Sequence, residues 1–498
     1  MKNCFPFCAI SFALLCVLQT PAGAQNTGDD IVAKVGNRSI TVKEFTDGYE
    51  FGPAFVKRKE NSKSVYLKYL INEELLSIEG EQRKLDTMQA FRDAYKDIYN
   101  DILTESLFDK VIRPRVAVPD DAIERAVAAQ NVEITLKWIF CRTDSQLFSA
   151  VELLKEGKQF DTVFDGMLDS GDFADDRKLT LTKFSLLKKN PALAEVIDTL
   201  RAGMITRPVQ GKDGWYILRI EEIAQSGLVT QSEYLEARQT AKNYLIKSSY
   251  DAYADKYVDS LMKTENPSID GDLFRIARAY VGKYELKENI FDEWELGRSA
   301  EKAADKLKSS GRDPKDQPLV TLRTNKLFLS DFISWYSSRD PYLKFRDKDK
   351  QLFSRDVETN IWRMVRDNML VSEAISMGLQ NDPEVKAAAA VWKNKILYAI
   401  VRDELLNSVQ VMSKGESPVL QTSKRTAGLS VEASSALIKK IGQLKNKYKV
   451  TVNTDVLSKV QVTEEENAHA IDIFYAKRGG IFPRAPFPSI DQIWGSWE

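Results

Sequence analysis

At 498 residues the chain is too long for one ordinary domain and implies roughly two to four. Its 43% hydrophobic and 29% charged residues suit a soluble globular protein and exclude a disordered one. A net charge of -1 gives no electrostatic case for nucleic acid or an anionic membrane, and a single histidine, His469, removes most metal sites and most histidine acid–base chemistry.

In chain order, Lys2 precedes an apolar run from Phe5 to Leu18, and Ala22-Gly23-Ala24 then offers a small-x-small cleavage site. Residues 1–24 are expected to be a secretory signal peptide, because the run is short for a membrane anchor. Ala13-Leu14-Leu15 lacks the small residue that would precede a lipidated Cys16. Cleavage would remove Cys4, Cys8 and Cys16, leaving Cys141 as the one thiol and packing as the means of holding the fold. No later stretch reaches the roughly 18 uncharged apolar residues that span a bilayer.

"IVAKVGNRSITVKEFTDGY" (31–49) reads as strand, turn at Gly36-Asn37, strand and helix start. "PLVTLRTNKLFLSDFISWY" (318–336) has the same plan: Ile40, Val42, Phe45 and Tyr49 match Leu327, Leu329, Phe332 and Tyr336 at one constant offset. Helical spacing follows in each case, over 69–85 and 364–379, and a long amphipathic helix comes next, near 88–110 and 384–407. A third match closes each unit: "YVDSLMKTENPSIDGDLF" (257–274) lines up with "KIGQLKNKYKVTVNTDVL" (440–457), pairing Leu261 with Leu444 and Asp272 with Asp455. Two copies of one mainly helical unit are expected, 31–130 with 227–290 and 316–460. Chance likeness between amphipathic helices competes with this, but does not explain the shared strand-turn-strand-helix order.

Between the helices of the first copy lies a segment of different rhythm. "EITLKWIF" (133–140) is strand-like, and 147–168 is helical in two pieces broken at Gly157. "LTLTKF" (179–184) is a strand, "PALAEVIDTLRAG" (191–203) a helix ending at Gly203, and "GKDGWYILRI" (211–220) the closing strand. A β-α-α-β-α-β order in this length implies a small α+β sheet domain.

These residues carry a resemblance. "VAKVGNRSITVKEF" and "VPDDAIERAV" (118–127) resemble SurA-type periplasmic foldases, and the insert resembles the parvulin peptidyl-prolyl isomerase domain through Gly157 and Phe160 in "EGKQF", then "LRAGMITRPV" (200–209) and "GWYILRI". The resemblance implies an α+β chain, a mainly helical SurA-like chaperone frame with an inserted parvulin-like β-α-α-β-α-β domain, and the internal match adds that the frame is duplicated. The implied layout is signal peptide 1–24, N-terminal helical region 25–130, parvulin-like domain 131–226, helical continuation and linker 227–315, second helical unit 316–460 and tail 461–498.

The parvulin active-site pattern is not retained. The family's opening His-Ile-Leu strand corresponds to Trp138-Ile139-Phe140, and Tyr216 stands where the closing strand carries histidine. Leu193 aligns with the phenylalanine that lines the proline pocket; the usual methionine has no counterpart near Lys189-Asn190, and the acidic or thiol position falls around Asp169 to Asp172, away from Cys141. Prolyl isomerisation must lower an amide-rotation barrier of about 18–20 kcal/mol, and tyrosine and tryptophan cannot reproduce a two-nitrogen histidine relay. Trp138, Phe184, Leu193 and Tyr216 are expected to line a degenerate substrate pocket that carries no catalytic residue.

Other signals are weak. Ser-x-x-Lys occurs at Ser185, Ser260 and Ser299 without companion motifs, and neither a phosphate-cradling glycine loop nor a metal-ligand cluster is evident. The aromatics of 331–345 suit core packing at helical spacing better than a peptide groove. The Pro- and aromatic-rich tail "IFPRAPFPSIDQIWGSWE" (481–498) is compatible with either a docked or a loose segment. The expected function is a periplasmic chaperone for unfolded or partly folded envelope or outer-membrane polypeptides, with no cofactor, metal or nucleic acid. The alternatives are an active prolyl isomerase with a divergent pocket and a structural envelope scaffold.

Overall fold

A computed structural model describes residues 30–57, 59–168, 174–211, 214–227, 230–339, 343–407, 431–463 and 480–496. The expected signal peptide, His469 and the Asp169–Asp172 stretch lie outside the described residues. The chain opens with β1 (Ile31–Val35), β2 (Arg38–Thr41), α1 (Val42–Glu50), α2 (Ala54–Lys57), α3 (Ser62–Gln82) and α4 (Gln89–Val111). Next come α5 (Asp120–Gln130), β3 (Val132–Cys141), α6 (Asp144–Lys155), α7 (Phe160–Gly166), β4 (Lys178–Thr182), α8 (Lys183–Lys189), α9 (Pro191–Asp198), β5 (Val209–Gln210) and β6 (Trp215–Gln225). They are followed by α10 (Gln231–Glu265), β7 (Ser268–Ile269), α11 (Gly271–Glu285), α12 (Glu288–Glu293) and α13 (Leu296–Ser309). The last stretch holds β8 (Pro318–Thr321), β9 (Lys326–Phe328), α14 (Leu329–Arg339), α15 (Lys350–Ser376), α16 (Pro383–Asn407), α17 (Val431–Lys447), β10 (Val450–Val452) and α18 (Thr454–Lys459). Helices dominate and the sheets are small, an α+β make-up. Two compact units result: a frame made of the residues up to Leu107 and from Leu261 on, and a sheet unit, Phe108–Ser260.

Both hairpins of the frame turn into a helix by the same device. Thr41 and Glu44 form a capping box at the start of α1, in which the Glu44 carboxylate accepts from the Thr41 N–H (2.9 Å). At the start of α14 the Asp331 carboxylate accepts from the Phe328 N–H (2.8 Å). The matched apolar residues face inward with one exception: Ile40, Phe45 and Tyr49 are buried, as are Leu327, Leu329, Phe332 and Tyr336, while Val42 is only half-buried. Against α1, the Tyr66 ring lies so close over Gly48 that a Cβ there would collide with the hydroxyl.

Each hairpin is completed by a third antiparallel strand, in the orders β10-β1-β2 and β7-β8-β9. The closing segments are crossed. β10, from the end of the chain, pairs with the first hairpin (Ala33 opposite Val452), while β7, which precedes the second hairpin, pairs with that one (Ile269 opposite Val320). The residue after each closing strand repeats the contact: Asn453 N–H donates to the Val32 carbonyl (2.8 Å) and Asp270 N–H to the Leu319 carbonyl (2.9 Å). Each of these two side chains also caps the helix that follows, α18 and α11. The long helices cross as well. α16 packs along α3, where Lys393 pairs with Glu81 (3.1 Å) and Arg83 with Glu404 (2.7 Å), and Arg339 at the end of α14 reaches Asp97 (2.6 Å) and Asp101 (3.0 Å) on α4.

The sheet unit is built on a four-stranded antiparallel sheet, β4-β3-β6-β5. Strand alternation sends Ile134, Leu136, Leu218 and Ile220 to one face, against Leu181, Leu186 and Ile197, and Ile139, Cys141 and Ile217 to the other, against Ala150, Phe160, Val163 and Phe164. A third cluster joins α5, α8 and α10 through Ile123, Ala126, Val127, Phe184, Ala237 and Ala241. The element order differs from the expected β-α-α-β-α-β at two places: a short strand, β5, precedes the closing strand, and a helix, α8, follows β4. The strand expected over 179–184 stops at Thr182, whose hydroxyl accepts from the Ser185 N–H (3.0 Å) and starts α8.

Candidate functional site

On the first face of the sheet, the register sets Trp138 opposite Leu218 and Tyr216 opposite Phe140 on β3 and Val209 on β5. Trp138, Tyr216 and Leu193 of α9 all pack, half-buried, against the same apolar cluster. The Tyr216 ring meets Phe140 at 5.1 Å between centroids. Three of the four expected pocket residues are therefore brought together.

Phe184 is not. Because Thr182 caps α8, Phe184 is carried into a helix and buried (3% exposed) among α5 and α10, with its ring edge-on to Tyr244 at 5.4 Å. The strand reading had placed it on the sheet, and the cap moves it to another core. Cys141 lies on the opposite face of the sheet, and burial pushes its thiol above the ordinary value. Chemically, the face holding Trp138, Leu193 and Tyr216 offers an apolar wall with one phenol and one indole N–H, and this unit contains no histidine to pass a proton.

The turn into β6 is tightly built. A Cβ on Gly214 would stand 2.5 Å from the Cys141 carbonyl oxygen and 2.7 Å from the Phe140 ring. Behind the sheet, Asp161 accepts from Lys137 (2.7 Å) and from both terminal nitrogens of Arg219 (2.8 and 2.9 Å), and Arg219 also pairs with Glu221. Hydrogen bonds from Arg219 and then Lys137 lower the Asp161 carboxyl to about 2.

The frame contains a second candidate, which nothing in the sequence singled out beyond the tail's composition. The described part of the tail, 480–496, is docked, with Phe482, Ile490 and Trp494 buried. The Trp494 ring stacks on Tyr69 of α3 (5.6 Å) and on Tyr398 of α16 (6.2 Å). One Glu73 oxygen accepts from the Asp491 N–H (2.7 Å) and the Trp494 indole N–H (2.9 Å), and the other pairs with Lys395. The Asp491 carboxylate accepts from Arg402 and from the Tyr398 hydroxyl (3.1 Å). Burial alone would lower the Arg402 guanidinium, but Asp491 and its neighbours outweigh it and hold the group above its ordinary value. Burial, Asp491 and Glu73 push the Tyr398 phenol up. Elsewhere in the frame a cleft of about 120 Å³ opens beside Arg339, walled by Asp93, Asp97, Asp101, Asp331 and Asp367. Among the described residues no group of His, Cys, Asp and Glu is placed to hold a metal, and no helix is long and apolar enough to cross a membrane.

No protein-family model and no curated protein sequence matches the chain. Among solved structures it is similar to a SurA-like chaperone of Campylobacter jejuni, at 16% identity over 47% of this chain and 97% of that one, with a TM-score of 0.22. It is also similar to PrsA of Bacillus subtilis, at 16% identity over 46% of this chain and 93% of that one (TM-score 0.17). A third is the peptidyl-prolyl isomerase PrsA of Bacillus cereus, at 14% identity over 46% and 93% (TM-score 0.22). Function has to be argued from this chain's own side chains.

Proposed function

We propose that the chain is an exported, periplasmic folding chaperone for unfolded envelope or outer-membrane polypeptides, built on a duplicated helical frame with a parvulin-like insert that has lost its isomerase chemistry. The observation that carries the last point is the common packing of Trp138, Leu193 and Tyr216 against one apolar cluster, at positions where the resemblance expects two histidines and a phenylalanine. An apolar wall of this kind fills the space where a twisted amide would have to bind, and it supplies no relay behind that amide. The duplication is supported by the matched hairpin-to-helix starts and the matched three-stranded sheets of the frame.

The test uses the full mature chain in two assays. Prolyl isomerisation of a proline tetrapeptide should proceed at the uncatalysed rate, and the aggregation of a chemically unfolded client should be suppressed at stoichiometric concentration. Turnover at the rate of an ordinary parvulin would return the protein to the enzymes. Failure to suppress aggregation, together with binding of a natively folded partner only, would make it a scaffold.

A further inference from the structure

The tail is held as a peptide ligand is held. Residues 480–490 join no sheet or helix, and Pro483, Pro486 and Pro488 remove backbone donors along that stretch. Its fixing points are side chains instead. Phe482, Ile490 and Trp494 are buried, Phe487 meets the Phe51 ring at 4.8 Å, and the Pro483 carbonyl accepts from Thr104 of α4.

The receiving wall is specific as well as apolar. Glu73 reads an indole N–H and a backbone N–H, while Arg402 and Tyr398 read a carboxylate three residues earlier. Lys395 balances Glu73, and Asp403 accepts from Arg402 (2.8 Å). Charges kept in a buried wall are costly, and apolar side chains would close the same space as well. Such a wall instead rejects any occupant that cannot pair with it.

We infer that the groove between α3 and α16 is a peptide-docking site, held here by the chain's own C-terminal segment. Its external occupant is an extended, unfolded polypeptide stretch bearing an aromatic anchor and a carboxylate three residues before it. This inference rests on the chaperone reading above. A tethered occupant competes at high effective concentration, so a client must displace the tail to bind, and it binds more tightly when the tail is weakened.

The test keeps the full mature chain and uses reduced, alkylated α-lactalbumin as an unfolded probe. Hydrogen exchange of residues 480–496 should speed up at least tenfold at saturating probe, and the Trp494→Ala chain should bind the probe at least fivefold more tightly by fluorescence anisotropy. A synthetic peptide of residues 480–498 should compete with the probe for Trp494→Ala, and the same peptide carrying Asp491→Asn should compete at least tenfold less well. Probe binding that leaves the exchange of 480–496 unchanged, or that the peptide does not affect, overturns the groove and leaves the chaperone reading standing. No probe binding by either chain removes both. A dimer in light scattering that exchanges tails between copies overturns the inference in favour of a second copy as occupant.

Discussion

In the frame, Arg339 is buried against Asp97, Asp101 and Asp367, whereas in the sheet unit Asp161 meets Lys137 and Arg219 with 49% of its side chain in water. The Arg339 guanidinium would be lowered by burial, yet Asp97, Asp101 and Asp367 hold it above its ordinary value, so no partner in that set can be removed without stranding another. The Asp161 cluster can fall back on water. The Arg339 set is thus an interior joint between α4, α14 and α15, while the Asp161 set of the sheet unit keeps its carboxylate half in water.

The contrast predicts a ladder of effects. Arg339→Leu should be the most damaging, stranding buried carboxylates at a cost of about 3–5 kcal/mol in urea unfolding of the full chain; a loss under about 1 kcal/mol would mean the joint is hydrated. Next comes excision of the sheet unit. A fragment of residues 131–226 should be less stable than one of residues 108–260 by at least about 2 kcal/mol, because Phe184 loses its α5 and α10 cover. Equal midpoints would show that the third cluster contributes nothing.

Gly214→Ala should cost about 1–3 kcal/mol, since the new methyl must displace backbone at Cys141 or the Phe140 ring. Asp161→Asn should be the mildest, within about 1 kcal/mol at neutral pH for so exposed a pair. Its pH profile gives the sign. The folded carboxyl titrates at about 2 and the ordinary value is 3.8, so the stabilisation is complete above that value and is lost as pH falls through about 2. The two chains should therefore converge below about pH 2, and a gap that persists there would assign the effect to packing.

The hairpins and the helices that follow them were legible in the sequence because their buried residues recur at one offset and their periodicities are local, as Phe45 and Phe332 illustrate. The strands β3 and β6 were legible through their β-prone composition, but which face each side chain serves was not. Three more features were not legible. α8 depends on a single cap at Thr182, which the strand-like "LTLTKF" outweighed. The crossing of β7 and β10 is invisible because matched segments carry the same pattern whichever hairpin they serve. The seat of the tail depends on Glu73, Tyr398 and Arg402, ordinary helix-face residues until Asp491 and Trp494 meet them from far along the chain.

The crossed closing strands also set an order of assembly. β7 reaches β8 across the three helices α11, α12 and α13, a far shorter loop than the one that β1 must close. β1 has to wait for β10, with nearly the whole chain between Ala33 and Val452, and closing so long a loop is the slow event. Until then the first hairpin presents an open edge, the kind of template on which strands from other molecules add. Loss of the last fifty residues by premature termination should therefore be felt first at the far end of the sequence, in β1, which loses its strand partner.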